Sequence, residues 1–124
     1  MILDNHSIIS HCNNIEINFK EHLSKKDSIV FKNCSKIKIT ISSKINKLIF
    51  IKCTDITVKC SETIAGIDLD NCTNVVLVPT FPYILNYVDC YKTSLKLYIN
   101  TTFDLENIFK INNIFSIIKI INID

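Results

Sequence analysis

Apolar and polar residues alternate along most of this chain, and the alternation breaks at near-regular intervals. One unit reads Ile29-x-Phe31-x-x-Cys34-x-x-Ile37-x-Ile39-x-Ile41, the next Leu48-x-Phe50-x-x-Cys53-x-x-Ile56-x-Val58-x-Cys60, and a third Ile67-x-Leu69-x-x-Cys72-x-x-Val75-x-Leu77. Strict alternation means half-buried strands, because successive side chains of a strand point to opposite faces. The odd spacing around each cysteine means a corner between two such strands. A helix would need apolar residues three and four apart, and the β-branched content also favours strands.

The cysteines give the period. Cys12, Cys34, Cys53, Cys72 and Cys90 are separated by steps of 22, 19, 19 and 18 residues. A unit of that size cannot close a core alone, so successive units must stack, each pairing in parallel with the next at about 4.8 Å. The expected fold is all-β: a parallel β-helix of about six short coils followed by C-terminal strands. The five cysteines would form one inward structural ladder at a corner, with Ile37, Ile56 and Val75 in a second ladder. The consensus leucines and asparagine of leucine-rich repeats are absent.

The ends depart from the period. His22 to Asp27 inserts a polar loop after the first coil, and Pro79 and Pro82 are expected to break ladder hydrogen bonds on one wall. From Ile108 to Ile121 the pattern reads as a final coil or as a strand pair around Asn112-Asn113. A single domain over residues 1–124 is expected, with coils over about 1–107 and a C-terminal strand region over 108–124.

Composition narrows the function. The chain has 124 residues, 48% of them apolar, enough to build a core. All 14 basic residues are lysine, and against 12 acids they leave a net charge of +2. That is too little for a nucleic-acid-binding face. No secretory signal is visible from Met1 to His6, so a cytoplasmic, reduced setting is expected, in which the Asn-x-Ser/Thr triplets carry no glycan. No stretch approaches the roughly 20 apolar residues that a membrane span needs.

Candidate chemistry is sparse. Zinc sites favour close cysteine pairs, and Cys53 with Cys60 is the nearest approach to one, so no metal site and no cofactor are expected. Reduced, buried thiols act as small hydrophobes. On that reading Cys53→Ser should cost about 1–3 kcal/mol, the hydroxyl entering an apolar ladder without a partner. His6, His11 and His22 read as surface histidines, with no nucleophile elbow or P-loop beside them, and no enzymatic activity is expected. Asp68 and Asp70 share one strand face and read as solvated.

The units Val30 to Ile39 (V-F-K-N-C-S-K-I-K-I) and Ala65 to Val75 (A-G-I-D-L-D-N-C-T-N-V) resemble the Asn-Cys coils of the C-terminal domain of cyclase-associated proteins. The likeness runs over about residues 5 to 100. It implies a right-handed β-helix that binds monomeric actin, promotes exchange of its ADP for ATP, dimerises through C-terminal strands and works beside the cytoskeleton in the cytoplasm. The N-terminal helical domain and proline-rich segment of full-length members are not in this chain, which reads as a short stand-alone form. Tubulin-binding cofactor C has a similar solenoid, and an adaptor of that kind is the alternative. Its GTPase-activating action uses an arginine, and this chain has none.

A flat parallel sheet bearing ordered charges is a protein-binding surface. Lys36, Lys38 and Thr40 are expected to stack near Asp55, Thr57 and Lys59, with Lys52, Asp68 and Asp70 continuing the outward positions, as the actin-binding face. For the homodimer, Ile114, Phe115, Ile117, Ile118, Ile120 and Ile121 are the expected contacts, because isoleucines at both parities imply a strand covered on both sides.

Overall fold

The computed structural model describes residues 6–19, 27–99 and 109–123. It contains strands and no helix among them. The strands are β1 (His6–Ser10), β2 (Asn13–Phe19), β3 (Ser28–Lys32), β4 (Ser35–Ile41), β5 (Ile45–Ile51) and β6 (Thr54–Asp70). Then come β7 (Thr73–Ile84), β8 (Asn86–Tyr91), β9 (Ser94–Ile99), β10 (Phe109–Ile114) and β11 (Ile117–Asn122).

All ten pairings are parallel, and they sort into two walls. Wall A stacks β1, β3, β5, the second half of β6, β8 and β10. Wall B stacks β2, β4, the first half of β6, β7, β9 and β11. The chain climbs one rung on each wall per coil, the β-solenoid that the period requires.

The inward columns fill the space between the walls. On wall A, Ile9, Phe31, Phe50, Leu69 and Cys90 lie above one another, with the Phe31 and Phe50 rings stacked at 5.0 Å. On wall B, Ile37, Ile56, Val75 and Leu95 form one column, and Ile39, Val58, Leu77 and Leu97 the next. Every residue of the wall B columns is at most 2% exposed, so the middle coils are sealed and close-packed.

The corner from wall A to wall B is built the same way six times. His11, Asn33, Lys52, Asn71, Lys92 and Phe115 each take a left-handed conformation, with φ between 48° and 54°. Asparagine suits that region, and the lysines there carry steric strain. Each next residue turns inward. In coils one to four it is Cys12, Cys34, Cys53 and Cys72, but in coils five and six it is Thr93 and Ser116.

This corrects the expected ladder at Cys90. Its register partners are Leu69 and Asn113, which puts it in the wall A column three residues before the corner. The corner position belongs to Thr93, and hydrogen bonding explains why threonine can stand in. Cys53 Sγ donates to Phe31 O and Ile51 O, both at 3.4 Å, and Cys72 Sγ to Phe50 O at 3.3 Å and Asp70 O at 3.4 Å. Thr93 Oγ1 meets the equivalent carbonyls of Leu69 (3.2 Å) and Tyr91 (3.0 Å). A corner side chain must therefore be small and a donor, and need not be a thiol.

A second left-handed residue follows two places later in coils one to four: Asn14, Lys36, Asp55 and Asn74. These residues have no partner in the wall B register, which pairs Asn13 with Ser35 and resumes at Ile15 with Ile37. Each is a bulge. Coils five and six lack it, so Leu95 and Ile118 sit two residues past their corners, where Ile56 and Val75 sit three past theirs.

The opposite ends of the walls are less regular. Pro79 still pairs with Cys60, and the register then shifts so that Glu62 faces Ile84. Asn86 closes this edge by donating to Thr63 O and Ile64 O, both at 2.9 Å. Gly66, with φ of +90°, lies so close to Tyr87 that a Cβ would fall on the Tyr87 carbonyl oxygen. Of the polar loop expected from His22 to Asp27, only Asp27 is among the described residues, and it is buried. The C-terminal segment resolves as a sixth coil: Asn112 and Asn113 lie within β10, and the turn is at Phe115 and Ser116.

Candidate functional site

The outward positions of a solenoid form columns too, and they divide the candidate residues by wall. On wall B one outer column runs Glu16, Lys38, Thr57, Val76, Lys96, Lys119, and beside it runs Asn18, Thr40, Lys59, Val78. Lys38 and Lys59 are exposed, one rung and one outward position apart. Lys36 and Asp55 are the exposed bulge residues at the corner edge of this wall, where Asn74 Nδ2 donates to Asp55 Oδ1 at 2.7 Å. Lys36, Lys38, Thr40, Asp55, Thr57 and Lys59 are thus neighbours on one face. Lys52 is exposed on the corner strip between the walls.

Asp68 and Asp70 belong to the other wall. They point outward from wall A, where Asp68 heads a column continuing through Asp89 and Asn112, and Asp70 one continuing through Tyr91 and Ile114. Lys47 Nζ lies 3.0 Å from Asp68 Oδ2. The two faces differ in charge: wall B's outer columns carry Lys38, Lys59, Lys96 and Lys119 against Glu16, whereas the upper half of wall A carries three aspartates together with Lys47 and Lys110. The separation arises because β6 passes from wall B to wall A between Glu62, which still pairs with β7, and Thr63, which pairs with β5.

Sequence reading missed Lys96, Lys119, Asp89 and Tyr91. Setting Thr93 as the fifth corner would have found Asp89 and Tyr91, since Val88-x-Cys90-x-x-Thr93 aligns with Ile67-x-Leu69-x-x-Cys72, whereas Lys96 and Lys119 follow corners whose register is shifted by one. That alignment places Asp89 and Tyr91 over Asp68 and Asp70.

In the sixth coil, Ile118 and Ile120 pair with Leu95 and Leu97 and so have inward parity, while Ile117 and Ile121 pair with Ser94 and Tyr98 on the outer face. Phe115 is 83% exposed and Ile117 76%, Ile114 and Ile120 are also exposed, and Ile118 and Ile121 are half-buried. The last coil thus presents apolar side chains on both faces, as the parity argument requires.

Three buried thiols, two on the walls and Cys53 at a corner, are pushed toward their protonated form, whereas hydrogen bonding from Cys53 lowers that of Cys72. Burial pushes the thiol of Cys60 up to about 12, and burial together with the charge of Asp89 pushes Cys90 up to about 12. A hydrogen bond shared with Cys72, reinforced by burial, pushes Cys53 up. Among the described residues no group of three histidines, cysteines or acids could hold a metal ion. His11 is an exposed corner residue, the side chain of His6 is not described, and His22 lies outside the described residues.

No helix among the described residues is long and apolar enough to cross a membrane. The family model described as adenylate cyclase associated (CAP) C terminal matches residues 2–79. No curated protein matches the chain.

Proposed function

Since this chain belongs to the family of the C-terminal domain of adenylate cyclase-associated (CAP) proteins, we propose that it binds monomeric actin and promotes exchange of actin's ADP for ATP. The family match carries this reading, and it ends at Pro79, where wall B has completed its fourth rung. The outer face of wall B supports it, with Lys36, Lys38 and Lys59 as ionic contacts and Thr57 and Asp55 between them. The chain acts as a binding protein, without catalysis or cofactor. Its binding energy favours the actin conformation with an open nucleotide cleft, so that nucleotide leaves faster. The protein then works beside the actin cytoskeleton.

The test is uptake of a fluorescent ATP analogue by ADP-actin. The parent protein should accelerate it, and charge reversal at Lys36, Lys38 and Lys59 together should return it to the rate of actin alone, with the circular dichroism spectrum unchanged. Normal exchange by the triple variant would move the working face elsewhere. No acceleration by the parent would overturn the exchange function.

The same reading has the protein dimerise through its sixth coil, using Ile114, Phe115, Ile117, Ile118, Ile120 and Ile121. An open solenoid end with exposed apolar side chains is a template for association. Light scattering should give the mass of a dimer at micromolar concentration, and a chain ending at Asn107 should be monomeric. A monomeric full-length chain would refute it.

A further inference from the structure

The actin-binding reading leaves the corner thiols unused. Cys12, Cys34, Cys53 and Cys72 occupy the same position in successive coils, each following a left-handed residue with φ between 52° and 54°. Each sulfur is held in the same way. Cys12 Sγ donates to Ser10 O at 3.5 Å, Cys34 Sγ to Lys32 O at 3.3 Å, and Cys53 and Cys72 Sγ to Ile51 O and Asp70 O at 3.4 Å. Equivalent side chains on successive parallel rungs repeat at the rung spacing, so neighbouring sulfurs lie about 4.8 Å apart.

That spacing decides what a pair of these thiols can hold. A disulfide needs its sulfurs about 2.05 Å apart, which would drag two corners together. A tetrahedral ion such as zinc needs more than two protein ligands, and among the described residues no group of three is placed to hold one. A soft monovalent ion is satisfied by two thiolates in line. Two thiolate–metal bonds of about 2.3 Å laid end to end span about 4.6 Å, which fits the rung spacing with the backbone left in place.

Access selects the pair. Cys53 and Cys72 are sealed in the core, whereas Cys12 in coil one is half-buried and lies directly over Cys34. Backbone hydrogen bonds bracket these two corners, His11 N to Lys32 O at 3.0 Å and Ser35 N to Cys12 O at 2.9 Å. The thiol protons are weakly held, since S–H is a poor donor and the carbonyls stand 3.3 to 3.6 Å away. We propose that Cys12 and Cys34 form a binding site for a soft monovalent cation of the copper(I) class. The ion enters past Cys12, each thiol releases one proton to water, and two sulfur–metal bonds form with no change of oxidation state. The bound ion ties coil one to coil two.

The test titrates the full, reduced chain under argon with copper(I) added as its acetonitrile complex, and with silver(I) as a redox-inert comparison. The ultraviolet thiolate-to-metal band should saturate at one equivalent, native mass spectrometry should show one ion gained and two protons lost, and the melting temperature should rise by about 3 °C or more. Cys12→Ser and Cys34→Ser should each weaken binding about tenfold or more, because one thiolate remains, and both should fold because the hydroxyl keeps the corner hydrogen bond. Cys60→Val and His11→Gln should bind as the parent does, and zinc should produce neither the band nor the stabilisation. Undiminished binding by Cys12→Ser, lost binding in Cys60→Val or His11→Gln, equal stabilisation by zinc, or loss of the strand circular dichroism signal on adding copper(I) would overturn the proposal.

Discussion

Cys53 is the position where the structure changes an energetic expectation. In an apolar ladder a serine hydroxyl would lack a partner and would cost about 1–3 kcal/mol. At the observed corner, however, two carbonyl oxygens, Phe31 O and Ile51 O, lie 3.4 Å from the thiol, which is wholly buried. A serine there can donate as Thr93 does, and a buried hydrogen bond returns about 0.5–1.5 kcal/mol. The remaining loss is the smaller volume of oxygen, so Cys53→Ser should cost under about 1 kcal/mol. Cys53→Ala removes the donor and opens a sulfur-sized cavity, a loss of about 1–2 kcal/mol. Urea unfolding of the three proteins measures the order directly, and thermal melts should separate the alanine variant from wild type by about 3–8 °C. A serine variant as unstable as the alanine variant, or less stable, would refute the donor account of the corner.

Two further outcomes follow from other parts of the fold. Gly66→Ala should destabilise the protein by about 2–4 kcal/mol, because the added Cβ meets backbone at Tyr87 and φ stays at +90°; an unchanged melting temperature would show that the β6–β8 contact is looser than described. Burial raises the thiols of Cys60 and Cys90 from about 9 to about 12, so the folded state holds their protons longer than the unfolded state. Stability from these groups is complete below pH 9 and declines as pH rises toward 12, by up to about 1.4 kcal/mol per pH unit for each thiol. Denaturation midpoints from pH 8 to 11 should fall, and Cys60→Val should flatten the fall; a slope unaffected by that change would assign it to other groups.

Much of this architecture could be read from residue spacing. Alternation fixed which side chains face inward, and Cys34, Cys53 and Cys72, at two equal steps of 19, fixed the corner. The error at Cys90 came from following a residue type instead of a position. The corner requires a compact donor, which threonine and serine also supply, and the loss of the bulge in coils five and six shifts the following apolar residues by one. The face reading failed in part for a related reason. Whether Asp68 lies on the same surface as Lys38 depends on where the chain passes between walls, and β6 makes that passage inside one uninterrupted strand, whose one glycine, Gly66, comes only after the crossing. The bulge at Lys36 was also hidden, since lysine does not signal a left-handed backbone, whereas aspartate at 55 is a residue type that tolerates one.

The corner donors of coils two to five reach the carbonyl of the coil before, among them Cys53 to Phe31 and Cys72 to Phe50. The two central coils therefore relate to their neighbours through identical joints, 19 residues apart. Excising residues 35–53 would fuse Cys34 to Thr54 and leave every surviving joint intact, with Phe31 taking the place of Phe50 beneath Leu69. Coils of this kind are interchangeable parts. A gene can lengthen or shorten such a protein by whole-unit duplication or loss, moving the two outer faces apart or together along the axis without redesigning either.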